Sequence, residues 1–161
     1  MPAPYHVLFV CTGNTCRSAM AEHLLRRAVS AAGLAPGTLI GSAGLAAEAG
    51  TPMDPRAVAA LGLDPATVTH RATPVEPETL AAADLVIAMT REHRDRLAAL
   101  LPTGAGPRLA LLTAFDPTAA PGTEVPDPFD GTPADYRRTR AALEAALPAL
   151  LAHLRAVAAR S

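Results

Sequence analysis

The stretch Cys11-Thr12-Gly13-Asn14-Thr15-Cys16-Arg17-Ser18 concentrates the chemistry of this chain. A thiol is followed, after five residues, by a guanidinium and then a hydroxyl. The apolar run Val7-Leu8-Phe9-Val10 leads into it, and an amphipathic stretch, Ser18 to Ala32, leads out. A turn between a strand and a helix presents backbone N–H groups inward, and the helix N-terminus adds positive potential. Together these features describe a cradle for a phosphate-like oxyanion, with Cys11 at its base and Arg17 forking two oxygens. The same electropositive setting favours a thiolate, the nucleophilic form of cysteine. Gly13 and Asn14 suit a tight turn with unusual backbone angles. Ser18 has two roles open to it, capping the following helix or hydrogen-bonding the thiolate. A free cysteine is often only a small core hydrophobe. The flanking strand, the helix and the Arg17-Ser18 pair favour the nucleophile for Cys11.

The elements that must hold this loop alternate along the chain. Tyr5–Val10 reads as a buried strand. Ser18–Ala32 reads as a helix with Met20, Leu24, Leu25, Ala28 and Val29 on one face, stopped by Gly33. Strands are expected at 38–43, 84–89 and 108–112. Helices are expected at 54–61, with Pro55 in the first turn, at 77–82, at 91–101 and at 133–160, the last kinked at Pro148. Strands separated by helices imply a four-stranded parallel sheet in an α/β/α three-layer arrangement. Ligands of such sheets bind beyond the carboxyl ends of the strands, which is where Cys11 and the loop 113–132 both fall. That loop is long enough to suggest a functional lid. No repeat or linker divides the chain, so residues 1–161 read as one domain.

Composition narrows the function classes. The chain has 161 residues and is 50% hydrophobic, enough for a real core. Its formal charge of −1 gives no electrostatic case for nucleic acid or an anionic membrane surface. All 14 basic residues are arginine. The 2 cysteines both lie in the opening motif, which is no disulfide framework. No secretion signal is visible at the N-terminus and no apolar run approaches a membrane span. A cytoplasmic monomer is the expectation. No metal-ligand cluster is legible, and no cofactor is expected.

The loop resembles the phosphate loop of the low-molecular-weight protein tyrosine phosphatase family. Ser42-Ala43-Gly44, Asp54-Pro55-Arg56-Ala57-Val58, Thr69-His70-Arg71-Ala72, Asp84 to Met89 and Pro126-Asp127-Pro128-Phe129 follow in the family's order. The resemblance implies that Cys11 attacks phosphorus and that a cysteinyl-phosphate forms on it. Asp127 would protonate the leaving group and later act as base on water. Arg17 and the amides of Thr12, Gly13, Asn14, Thr15, Cys16 and Arg17 would stabilise the phosphoryl oxygens. Asp54, Asp64 and Asp116 also precede prolines, so the dipeptide alone selects nothing. The choice of Asp127 rests on the long loop and the family match. The resemblance also implies that Asn14, Ser42 and His70 brace the loop, and that Cys16 can form a reversible disulfide with Cys11. His6, His23, His93 and His153 read as surface or helix residues, Asp54 and Arg56 as structural, and Glu22 as without a chemical role.

The substrate expected is a phosphorylated protein side chain. Phe129 offers one wall for a flat phosphotyrosine, but Leu45-Ala46-Ala47-Glu48-Ala49 offers no aromatic for the other. Thr15 resembles the residue at this place in bacterial protein-arginine phosphatases of the same family, where tyrosine-directed members carry a bulkier aliphatic. Its hydroxyl could bond a guanidinium leaving group. A negative Asp130 would also suit a cationic substrate. Phosphoarginine is therefore the expectation, phosphotyrosine the alternative. Arsenate reduction, which uses a similar loop, would need cysteines downstream of Cys16, and there are none.

Overall fold

The structure, a computed structural model, describes residues 3–102 and 106–161. Its first strand, β1, spans Tyr5–Cys11, so Cys11 is the last strand residue rather than a loop residue. β-Branched and aromatic side chains make this run a strand, and burial on both faces makes it a central one. It pairs in parallel with β2 (Thr38–Gly44) on one side and β3 (Leu85–Ala88) on the other. Beyond β3 lies β4 (Arg108–Leu111), giving the order β2-β1-β3-β4. The chain moves outward from β1 to β2 and then returns to the opposite side of β1. The carboxyl end of β1 is therefore the point where the strand order switches, and the cradle opens there.

Alternate residues of the strands feed two cores. Val7, Phe9, Cys11, Leu85 and Ile87 pack against α1 (Arg17–Ala31) and α5 (Pro133–Ala159), which contribute Met20, Leu25, Leu143 and Leu150. Leu8, Val10, Val86 and Ala88 pack under α3 (Pro77–Ala82) and α4 (Arg91–Leu100), through Leu80 and Leu97. Each Val, Leu, Ile, Phe or Met among them contributes roughly 1.5–3 kcal/mol when fully buried. The short α2 (Pro55–Ala60) adds Ala57 and Val58 to the first core and begins with the expected Pro55.

Of the two roles open to Ser18, the cap is not taken: α1 begins at Arg17 with Cys16 at the N-cap position, so Ser18 is the second helical residue, and its hydroxyl meets the Cys11 thiol. Pro148 lies inside α5, which runs from Pro133 to Ala159. The segment after β4 is not open loop from its start. Leu112–Phe115 forms a 3-10 turn that buries Leu112, Thr113 and Phe115. Finally, α5 contains one window apolar and long enough to cross a membrane, with a mean hydropathy of 1.4. Its Tyr136, Leu143, Ala146, Leu150 and Leu154 are buried in the first core.

Candidate functional site

The phosphate loop runs from the end of β1 to the first turn of α1. Its tightest point is Asn14, a non-glycine residue in the left-handed region at φ 58°. Asparagine tolerates this conformation because its short amide bonds locally, and here the amide is engaged on every side. Its Nδ2 donates to Ser18 Oγ at 2.8 Å and to Ser42 Oγ at 2.9 Å. Its Oδ1 accepts from the Thr73 amide at 2.9 Å, and its carbonyl meets His70 Nε2 at 2.7 Å. The residue is fully buried, so these bonds are what make the polar side chain tolerable there. Ser42 in turn donates to Glu22 Oε1 at 2.5 Å. Gly44 lets β2 approach the loop: a Cβ there would lie 2.5 Å from the Thr12 carbonyl oxygen.

Cys11 Sγ sits at the base of this loop, 2.9 Å from Ser18 Oγ and 3.3 Å from the Asn14 amide. The Asn14 amide donates to this sulfur and the Ser18 hydroxyl is within hydrogen-bond reach of it, while the same hydroxyl accepts from Asn14 Nδ2 and reaches the Ala43 carbonyl at 3.5 Å. Arg17 opens α1 and is 4% exposed. Its Nη1 donates to the Val125 carbonyl at 3.4 Å and its Nη2 lies 3.4 Å from Asp127 Oδ2, while its buried Nε makes no hydrogen bond to the described protein. Asp127 follows two residues that are tied to neighbouring elements. The Val125 amide donates to Met89 O at 2.9 Å, and Thr139 Oγ1 donates to Pro126 O at 3.0 Å. Residues 11–17, Asp127 and Phe129 line one cavity of about 210 Å³. Phe129 is 63% exposed at its rim, and no residue of 45–49 lines it.

Thr15 lines the cavity, with its hydroxyl 3.9 Å from Cys16 Sγ. Cys16 also approaches the Tyr136 hydroxyl at 3.7 Å, and burial pushes its thiol up to about 11. Asp54 and Arg56 do serve structure. Asp54 caps α2 by accepting from the Arg56 amide at 2.8 Å, and its own amide donates to Thr15 O at 3.0 Å. Burial would raise the Asp54 carboxyl, but hydrogen bonds from Arg56 outweigh it and hold the group below the usual carboxylate range. Asp130 points its charge at Arg56, 3.5 Å away, and is not among the cavity's lining residues. Its expected contribution to a cationic substrate is thus diverted to a structural partner.

The sequence reading missed two residues and undervalued a third. Of the two places expected for His93, surface or helix, the helix holds, but its contact with the loop was not foreseen: it is 4% exposed and its Nε2 lies 2.8 Å from Thr12 Oγ1. It falls in the first turn of α4, just past the carboxyl end of β3, and that position was the available signal. Glu22 has a role in the brace. It lies four residues beyond Ser18, hence on the same helix face. Tyr136, fully buried beside Cys16, carried no local signal at all. Among the described residues no group of three or more His, Cys, Asp or Glu side chains is arranged to hold a metal ion.

Residues 6–159 match the family model of low molecular weight phosphotyrosine protein phosphatase. A low molecular weight protein-tyrosine phosphatase A from Mycobacterium bovis is 38% identical over 152 residues, covering 93% of this chain and 91% of that protein. A protein-arginine-phosphatase from Bacillus subtilis is 35% identical over 149 residues, covering 92% and 96%. Among solved structures, an arginine phosphatase from Geobacillus stearothermophilus superposes with a TM-score of 0.80 at 33% identity, covering 95% of this chain and 94% of that one. A low molecular weight phosphotyrosine phosphatase from Vibrio cholerae gives 0.83 at 30%, covering 94% and 97%. The chain belongs to the low molecular weight phosphotyrosine protein phosphatase family and is a cysteine-dependent protein phosphatase of that fold.

Proposed function

We propose that this protein hydrolyses phosphoarginine in proteins through a cysteinyl-phosphate on Cys11. The observation that carries the mechanism is the meeting of Cys11, Arg17 and Asp127 in one cavity. In the first step the Cys11 thiolate forms an S–P bond as the P–N bond to the guanidino nitrogen breaks. Asp127, in its acid form, delivers the proton to that nitrogen. In the second step water adds to phosphorus, Asp127 takes its proton, and the S–P bond breaks to return thiolate and phosphate. Arg17 and the loop amides of residues 12–17 hold the equatorial oxygens throughout. Asn14, Ser42 and His70 keep the loop open around the anion, and Ser18 steadies the thiolate.

Thr15 supports the choice of phosphoarginine, since it lines the cavity and carries a hydroxyl where a branched aliphatic would offer only bulk. Phosphotyrosine is the second reading, favoured by the exposed ring of Phe129 at the rim. The comparison of kcat/KM on a phosphoarginine and a phosphotyrosine peptide, repeated with Thr15→Ile, separates them. A wild-type preference for phosphotyrosine that Thr15→Ile leaves unmoved would overturn the arginine reading. A reactive thiolate with a neighbouring free thiol suits a reducing compartment. We place the protein in the cytoplasm, as a monomeric single domain over residues 1–161 whose partners are phosphorylated proteins rather than nucleic acid or membrane.

A further inference from the structure

His93 has one ring nitrogen against Thr12 and one against nothing. Nε2 lies 2.8 Å from Thr12 Oγ1, while Nδ1 is buried with no hydrogen-bond partner. Burial disfavours the charged ring, and so does the neighbouring positive charge of Arg17, so the imidazole is neutral near pH 7. A neutral ring carries one N–H. With that proton on Nδ1, a buried donor would have no acceptor, the rarer and costlier kind of orphan. With it on Nε2, the proton is used on Thr12 Oγ1 and only an acceptor lone pair is left over.

That tautomer has a consequence for Thr12. A hydroxyl that accepts from His93 keeps its own O–H for something else. Thr12 is exposed and lines the cavity above Cys11. Its backbone is fixed, because the carbonyl accepts from the Ala46 amide at 2.9 Å. His93 is fixed as well, because its amide donates to Thr90 Oγ1 at 3.1 Å at the start of α4. A buried ring on one rigid element therefore sets the proton of an exposed hydroxyl on another.

We infer that the Thr12 hydroxyl is a phosphoryl-binding donor oriented by His93. Thr12 touches a phosphoryl oxygen, and His93 is a positioning residue that never contacts the substrate. This rests on the phosphatase reading and adds to it a side-chain donor beside the loop amides and Arg17. It also assigns a purpose to the one buried histidine that the hydrolytic steps leave unused.

The test combines a spectrum with inhibition by inorganic phosphate. Two-bond nitrogen–proton correlation of the imidazole, on the full chain near pH 7, reads the tautomer directly, and Nε2–H is expected. Thr12→Val, at an exposed position, should weaken phosphate inhibition about fivefold, the value of one hydrogen bond. Thr12→Ser should restore it. His93→Gln, which keeps a donor near the Nε2 position, should stay close to wild type. His93→Leu should match Thr12→Val, and the double variant should be no weaker than either single one. An Nδ1–H tautomer, unchanged phosphate inhibition in Thr12→Val, or losses that multiply in the double variant would each overturn the inference. Should His93→Leu fail to fold, the Thr12 pair and the spectrum still decide. Wild-type hydrolysis of p-nitrophenyl phosphate is the control. If it is absent, the phosphatase reading fails; if it is present and the variants behave like wild type, only this inference fails.

Discussion

Arg17 Nη2 and Asp127 Oδ2 lie 3.4 Å apart although their positions are separated by 110 residues. The contact joins the floor of the cradle to the loop above it. Arg17 is almost wholly buried, whereas the Asp127 side chain is 54% exposed, so only the arginine is fixed by packing. On the proposed mechanism, a phosphoryl dianion held by the guanidinium would compete for the same N–H groups and free the carboxyl to face the leaving group.

That geometry makes a leaving-group prediction. Asp127→Asn keeps the shape and removes the proton, so kcat on a phosphoarginine peptide should fall about 10²–10⁴-fold. On p-nitrophenyl phosphate, whose leaving group needs little protonation, the loss should be much smaller. Equal losses on both substrates would show that Asp127 acts on binding rather than on proton transfer. Steady-state kinetics on the two substrates suffice.

The Ser18 hydroxyl and the Asn14 amide both contact Cys11 Sγ. Ser18→Ala removes the hydroxyl, with one of the Asn14 brace bonds, and leaves the cradle's amides in place. Its kcat should fall while KM holds within about twofold, because the bond acts on the nucleophile rather than on substrate binding. Cys11→Ser should abolish turnover. Residual hydrolysis at the wild-type rate in that variant would end the covalent mechanism.

The Asn14 brace should be visible as stability. Asn14→Ala removes three side-chain hydrogen bonds, one buried and two part-buried, and leaves a β-carbon in the left-handed region. The expected loss is about 2–4 kcal/mol, with a Tm lowered by several degrees. Asn14→Gly loses the same bonds but not the conformational penalty, and should be less destabilised by about 1 kcal/mol. Denaturant unfolding of the pair separates bracing from backbone strain.

The clamp between Asp54 and Arg56 gives a pH prediction. Net of its burial, the Asp54 carboxyl lies below its ordinary value because of Arg56. A depressed folded-state value contributes stability above the unfolded carboxylate range, and that stability is lost as pH falls through the folded value. The Tm gap between wild type and Asp54→Asn should therefore be full at pH 7 and close below about pH 4. A gap that persists unchanged into acid would place the effect in the α2 cap rather than in the ion pair.

The elements and the loop were legible because their signals are local. Val7 to Val10 can only be a buried strand, and a C-x5-R-S run between strand and helix has few readings. Asp127 needed the family's order of motifs, since four Asp-Pro pairs compete for the same role. What escaped was long-range and unpatterned. His93 meets Thr12 across 81 positions and Tyr136 meets Cys16 across 120. Neither distance leaves a trace in periodicity, because tertiary packing alone creates the pair. Asp130 went astray for a related reason: its charge was visible, but its partner Arg56 was not.

Cys16 carries the last prediction. A thiol pushed up to about 11 by burial is almost entirely protonated at neutral pH. If oxidised Cys11 is rescued by Cys16, the Cys16 thiolate must attack the Cys11 sulfenic acid, forming a disulfide and releasing hydroxide. The available thiolate rises about tenfold per pH unit below its midpoint. After brief peroxide treatment, intact mass should therefore show more disulfide and less over-oxidised Cys11 at pH 9 than at pH 7. The Tyr136 hydroxyl contact counters the rise caused by burial, so Tyr136→Phe should slow disulfide formation further. Cys16→Ser should leave Cys11 unprotected at both pH values. A disulfide yield independent of pH would show that Cys16 does not react from the buried setting between Thr15 and Tyr136.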